Sequence, residues 1–280
     1  MKIFVAGASG VLGRAFLPLA VERGYEVIGM TRSPVGARTV ESLGAAPVLA
    51  DALDRERLAR VLAEVRPDIV VDLLTDLATG NSGSNARLRT EGTRNLVDAA
   101  HGAGVSRVVA ESISWVYASG TDLADEDAAL DVEADEPRLT TIRGVTALED
   151  TIREAPHGVV LRFGQLYGEG TWYARDGRFA DAARAGELAA TATVVSFLHV
   201  DDAARATLLA LDWPAGAWNI VDDEPAAGID WAPAFAEAIG APVPKVAPIG
   251  DIGRPVSNAR ARVEGLTLHH PSWREGFRTL

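Results

Sequence analysis

The sequence contains no cysteine, which excludes disulfide bridges, thiolate nucleophiles and cysteine-ligated metals together. No apolar run approaches the ~20 residues that a membrane-spanning helix needs. Met1-Lys2-Ile3-Phe4-Val5-Ala6-Gly7 passes from a short apolar segment straight into glycine, without the three regions of a signal peptide. The expected location is therefore cytoplasmic. Basic residues are in deficit: 27 Lys and Arg against 39 Asp and Glu leave a net charge of −12. Such a surface repels phosphate backbones and anionic lipid, so neither nucleic acid nor membrane is an expected partner. The acidic run from Asp122 to Glu136 lacks an ordered ligand spacing and reads as a solvated loop; with no HExxH segment either, no metal site is expected. A GxSxG nucleophile turn is missing too.

What is present is an alternation of short β-rich runs with longer helical ones. Strands are expected at Lys2–Ala6, Glu26–Met30, Pro47–Ala50, Asp68–Leu74 and Arg107–Glu111. Helices are expected at Val11–Arg23, Gly36–Leu43, Arg55–Val65 and Ala86–Gly104. Strands of nearly unbroken Val, Ile and Leu separated by helices indicate an α/β fold, a Rossmann-type doubly wound parallel sheet. The second half is less regular. Strands near Gly158–Phe163 and Trp218–Val221 return to the sheet, and helices fall at Asp201–Leu211 and Trp231–Ile239. This gives a dinucleotide-binding domain over residues 1–166, with strands returning within 194–222, and a mostly substrate-side lobe over 167–280.

Gly7-Ala8-Ser9-Gly10-Val11-Leu12-Gly13 follows the first strand and opens a helix. Glycines there permit a sharp turn, close approach of backbone to a pyrophosphate, and tight packing of helix on sheet. The helix start offers free N–H groups and partial positive charge to the anion. Gly7, Ser9, Gly10, Val11 and Leu12 are thus expected to hold a dinucleotide. The second strand runs out into Gly29-Met30-Thr31-Arg32-Ser33, without the acid that holds a ribose 2′-hydroxyl in NAD sites. Arg32 pairs well with a 2′-phosphate, and Thr31 and Ser33 add hydroxyls, which favours NADP over NAD. Asp51 and Ala52 follow the third strand, toward the adenine edge. Leu74 and Thr75 line the cofactor after the fourth.

These features resemble the extended short-chain dehydrogenase/reductase superfamily, specifically its NAD(P)-dependent epimerase/dehydratase group. Similar segments include Glu91-Gly92-Thr93-Arg94-Asn95-Leu96-Val97-Asp98-Ala99-Ala100, Leu161-Arg162-Phe163-Gly164-Gln165-Leu166-Tyr167-Gly168, Phe197-Leu198-His199-Val200-Asp201-Asp202-Ala203-Ala204, Trp218-Asn219-Ile220-Val221 and Ser257-Asn258-Ala259-Arg260. The resemblance implies a Ser/Thr after the fifth strand and a YxxxK pair on the next helix, with Tyr as acid/base and Lys holding the ribose. Here Thr141 stands at the Tyr position and Val145 at the Lys position. The usual catalytic hydroxyl falls on Ile113, between Ser112 and Ser114. Arg89 replaces the group's Asn before the GT helix.

Thr is a far poorer acid than a phenol with a pKa of about 10, and Val carries no charge. Ser112, Ser114, Thr141 and Tyr167 are the remaining catalytic candidates, and Gln165 is expected beside the cofactor. Glu111, at a strand's carboxyl end, either titrates usefully or pairs with a nearby Arg. The expected function is an NADP-dependent, oxidoreductase- or epimerase-like enzyme acting on a small carbonyl or hydroxyl substrate with a non-standard proton donor. A non-redox cyclase, isomerase or dehydratase, or a non-catalytic NADP-binding regulator, are the alternatives. Related proteins often dimerise through the helices corresponding to Ala86–Gly104 and Pro137–Glu154, so a homodimer is a further expectation.

Overall fold

A computed structural model describes residues 1–77, 81–247 and 251–280. The first half runs β1 (Lys2–Ala6), α1 (Val11–Glu22), β2 (Glu26–Thr31), α2 (Pro34–Ser42), β3 (Ala46–Leu49), α3 (Arg55–Val65), β4 (Ile69–Asp72), α4 (Ser82–Arg87), α5 (Thr93–Gly102), β5 (Arg107–Ile113), α6 (Arg138–Arg153) and β6 (His157–Phe163). It continues with β7 (Gln165–Tyr167), α7 (Arg178–Arg184), β8 (Ala189–Ala190), β9 (Val194–Val195), β10 (Phe197–His199), α8 (Val200–Leu209) and β11 (Gly216–Ile220). The last elements are β12 (Ala226–Ala227), α9 (Gly228–Ile239), β13 (Lys245–Val246), α10 (Ala259–Val263) and α11 (Trp273–Phe277).

Seven strands form one sheet in the order β11-β6-β5-β4-β1-β2-β3. Ile69-Val70-Val71-Asp72 is buried along its whole length, as a strand covered on both faces must be. Parallel register sets Ala6 beside Met30 and Asp72, and Asp72 beside Ala110. The chain leaves β1 toward β2 and returns on its other side at β4. That reversal of strand order opens a crevice at the strands' carboxyl ends, where doubly wound folds bind ligands.

The expected helix 86–104 is divided. Asn81 caps α4 by accepting from the Ser84 N–H, so the helix starts earlier, and a π-helical turn, Leu88–Gly92, separates it from α5. Such turns widen the helix by one residue and mark functional sites disproportionately. This one carries Arg89, 3% exposed.

The chain divides into two compact units, Met1–Ser112 with Val132–Leu161 and Thr207–Ala217, and Ile113–Asp131 with Arg162–Ala206 and Trp218–Leu280. The second unit has its own core, in which Tyr173, Phe197, Trp231, Phe235, Trp273 and Phe277 pack together. Fully buried Asp202 pins its C-terminal segment by accepting from the His269 and His270 N–H groups. Among the described residues, no helix is long and apolar enough to cross a membrane.

Candidate functional site

At the carboxyl end of β1 the backbone turns through Gly7, whose φ is +80°, and the Gly10 N–H donates to the Gly7 carbonyl at 2.9 Å. A Cβ on Gly13 would lie 2.5 Å from the carbonyl oxygens of Ala8 and Gly7, so only glycine lets α1 come this close. No side chain caps α1 at Gly10, which leaves the first-turn N–H groups of Val11 and Leu12 free for an external acceptor. Ser9 Oγ lies 2.9 Å from Thr31 Oγ, joining this turn to the end of β2. Gly7, Ser9, Gly10, Val11, Leu12 and Thr31 thus share one edge. An uncapped helix start behind a glycine turn suits a pyrophosphate.

Beyond β2, Arg32 is exposed and makes no hydrogen bond or ion pair among the described residues. Ser33 caps α2, its Oγ accepting from the Gly36 N–H at 3.0 Å, which leaves its hydroxyl proton to offer to an acceptor. Asp51 Oδ1 closes a turn by accepting from the Leu53 N–H, and the buried Ala52 accepts from Asn95 Nδ2 through its carbonyl. The Leu74 N–H donates to Asp72 Oδ1, with Leu74 and Thr75 both half-buried.

The next strands on the other side of β1 are β4 and β5, whose carboxyl ends border the same crevice. There the first unit gathers groups from five segments. Asp72 accepts from Thr93 Oγ1 at 2.8 Å. Ser112 donates to Glu149 Oε1 at 2.9 Å, and Arg153 pairs with Glu149 Oε2 at 3.0 Å. Arg89 is attracted to Glu111, Asp72 and Glu149. Burial raises the Asp72 carboxyl to about 6, against the lowering effect of Thr93 and the Leu74 amide. It raises Glu111 to about 7, only partly opposed by Arg89. Glu111 is thus raised toward neutrality and feels Arg89 through space, without an ion pair between them. Asp72 and Glu149 carried no sequence motif. Thr141 is half-buried on α6 and Val145 fully buried one turn later; Gly144 allows α6 to approach the Ala86 backbone, where a Cβ would sit 2.9 Å from Cα.

An acid raised in the folded state keeps its proton where the unfolded chain has lost it, so its unfavourable burial as an anion is felt only as pH climbs. For Glu111 that cost is absent below about pH 4.5 and complete above about pH 7. Glu111→Gln is therefore expected to gain thermal stability relative to wild type, by a few degrees, between pH 5 and pH 8. A difference in melting temperature that does not vary with pH contradicts this.

Three further candidates, Ser114, Gln165 and Tyr167, belong to the second unit. Ser114 is buried in a 3₁₀ turn, and the Gln165 N–H donates to the Ser196 carbonyl at 2.8 Å. Tyr167 is fully buried, edge-on to Phe197, His199 and Phe277, with no hydrogen-bond partner for its hydroxyl among the described residues. Burial raises that phenol far above its ordinary value, which disfavours acid work near neutrality. His199, Asp201 and His270 place their ligand atoms within 4.8 Å of one another. However, His199 Nδ1 already accepts from the Asp201 N–H, and the two rings are stacked 3.8 Å apart at 23°, so their lone pairs do not converge. Sequence reading also gave no role to a buried network in this unit: Arg162 donates to the Tyr117 hydroxyl at 2.7 Å, and Tyr117 to Asn219 Oδ1 at 2.6 Å.

The model of the NAD dependent epimerase/dehydratase family matches residues 3–220. The chain is 40% identical, over 305 aligned residues and 99% of each chain, to a 3-diazoavenalumate denitrifying reductase of Streptomyces sp. A 4-hydroxy-2-methyl-3-oxo-4-farnesyl-3,4-dihydroquinoline-1-oxide ketoreductase of Stigmatella aurantiaca is 35% identical over 45% of this chain and 38% of its own. Among solved structures, UDP-glucose 4-epimerase of Thermotoga maritima superposes with a TM-score of 0.81 at 22% identity, covering 99% of this chain and 96% of its own. The Thermus thermophilus UDP-glucose 4-epimerase, in complex with NAD, gives 0.80 at 21%, covering 99% and 97%.

Proposed function

The chain belongs to the NAD dependent epimerase/dehydratase family, and from that premise we propose that it is an NADP-dependent reductase that replaces the diazo group of an arenediazonium by hydrogen. One observation carries the reading: Thr141, Val145 and Ile113 stand where the family's Tyr, Lys and Ser/Thr fall, so the site has lost its proton donor. Carbonyl reduction leaves an alkoxide that must be protonated. Hydride replacement of a diazonium group needs no proton.

When bound, the reduced cofactor supplies the hydride, and Ar–N₂⁺ + NADPH → Ar–H + N₂ + NADP⁺ balances, the C–N bond electrons leaving with nitrogen as C–H forms. The diazo chemistry named for the 40% identical Streptomyces relative supports this substrate class. Val11 and Leu12 amides, with Gly7, Ser9 and Gly10, hold the pyrophosphate. Arg32 takes the 2′-phosphate with Thr31 and the Ser33 hydroxyl. Asp51 and Ala52 border the adenine, and Leu74 and Thr75 line the path toward β4. Ser112, Ser114 and Thr141 offer hydroxyls to the substrate. Glu111 and Asp72, when ionised, favour positive charge near β4 and β5. Gln165 lies beside the cofactor, and residues 167–280 form mostly the substrate-side lobe.

The test is reduction of 4-methoxybenzenediazonium with NADPH deuterated at C4. Expected above the enzyme-free rate are deuterated anisole and equimolar N₂ and NADP⁺. NADPH consumption with 4-methoxybenzaldehyde but not with the diazonium would overturn the diazo reading.

A further inference from the structure

Arg89 is an anomaly in the site. Its guanidinium is 3% exposed, yet among the described residues it makes no hydrogen bond and no ion pair within 4 Å. It is attracted to Glu111, Asp72 and Glu149 without touching any of them as an ion pair. A guanidinium carries several N–H donors in a planar fork, and those of Arg89 keep contact with solvent rather than with a protein acceptor. The π-helical turn Leu88–Gly92 holds this side chain in place nevertheless. A ligand is the natural acceptor.

Charge limits what that ligand is. Three carboxylates against Arg89 and Arg153 leave the group net negative when all are ionised, so an anion is disfavoured. A neutral group that accepts from Arg89 and donates to Glu111 suits this charge balance, as ribose hydroxyls do. The position fits too, since the cluster lies over β4 and β5, away from the adenosine side at β2. The one cation that α6 brings to this cluster, Arg153, is paired with Glu149 at 3.0 Å, and position 145 is a buried apolar Val beside the Gly144 that packs on Ala86, three residues before Arg89.

We infer that Arg89 is the positioning residue that grips the nicotinamide-ribose half of the cofactor, from the π-helical turn rather than from α6. This rests on the nicotinamide-cofactor reading above, but not on its substrate. Dissociation constants are measured by fluorescence or calorimetric titration for NADPH and for 2′,5′-ADP, which lacks the nicotinamide riboside. Arg89→Met is expected to weaken NADPH at least tenfold and 2′,5′-ADP less than twofold. Arg89→Lys keeps the charge but loses the fork, weakens NADPH by a few fold, and reads the same contrast if the methionine variant does not fold. Adding Val145→Lys to Arg89→Met is expected to restore part of the lost affinity. Unchanged NADPH affinity, or equal loss for both nucleotides, overturns the inference. Diazonium turnover by wild type alongside either result leaves the proposed function standing; selective NADPH loss without diazonium turnover leaves Arg89 standing and sinks the substrate.

Discussion

Replacing Gly7 by alanine is expected to abolish measurable NADPH binding, a loss above a hundredfold, and to lower the melting temperature by 10 °C or more. Two independent causes act at this position. With φ at +80° the residue sits in the left-handed region, which costs an L-residue about 1–2 kcal/mol. The added Cβ would also overlap the Leu73 carbonyl oxygen and lie 2.7 Å from its carbon. Those are backbone atoms, so no rotamer relieves the clash. Leu73 cannot withdraw cheaply, because its N–H donates to the Ala6 carbonyl at 3.0 Å and continues the register of β1 with β4. Movement there displaces the turn that presents α1's free amides. Gly24 supplies the control: its φ is +86°, but nothing lies within 4 Å of a Cβ. Gly24→Ala is expected to cost ~1 kcal/mol from conformation alone and to leave nucleotide affinity unchanged. Fluorescence titration and thermal unfolding of the two variants separate steric from conformational cost. Wild-type affinity in Gly7→Ala would refute the phosphate cradle.

The second large effect is expected at Arg32. Loss of a charge-assisted hydrogen bond to phosphate is worth about 1.5–3 kcal/mol, so Arg32→Ala should weaken NADPH about tenfold to a hundredfold. NADH, with no phosphate to lose, should change less than twofold. Arg32→Asp should go further and reverse the preference, since an acid at the end of β2 accepts from a ribose hydroxyl and repels a phosphate. The effect of Arg32→Ala on NADPH should shrink at high salt, because the side chain is exposed and its charge is screened. Parallel titrations with both nucleotides at two ionic strengths decide the matter. Equal losses for NADPH and NADH would mean that Arg32 does not read the 2′-position.

Much of the frame was legible because its signals are local. β1 and α3 have the bounds their residue patterns predicted, and other elements of the first half shift by one or two residues. The helix expected over 86–104 is the exception. Its apolar period continues across the π-helical turn, and periodicity does not register one extra residue inside a helix. Tyr167 looked like a spare phenol because it sits between a strand and a glycine. Only packing reveals that Phe197, His199 and Phe277 enclose its ring. Arg162, Tyr117 and Asn219 were legible as motif letters, but their joint role as one buried network depends on three segments meeting.

By itself the sequence determined the strand-helix alternation, the glycine turn that opens α1, and the presence of Thr and Val at 141 and 145. Each of these is written within a dozen neighbouring residues, where backbone stereochemistry and side-chain periodicity act directly. Tertiary structure alone decided that Asp72, Arg89, Thr93, Glu111, Ser112 and Glu149 gather around β4 and β5. Their charges and shifted protonation come from desolvation and mutual attraction through space, and neither exists until the separate segments pack together.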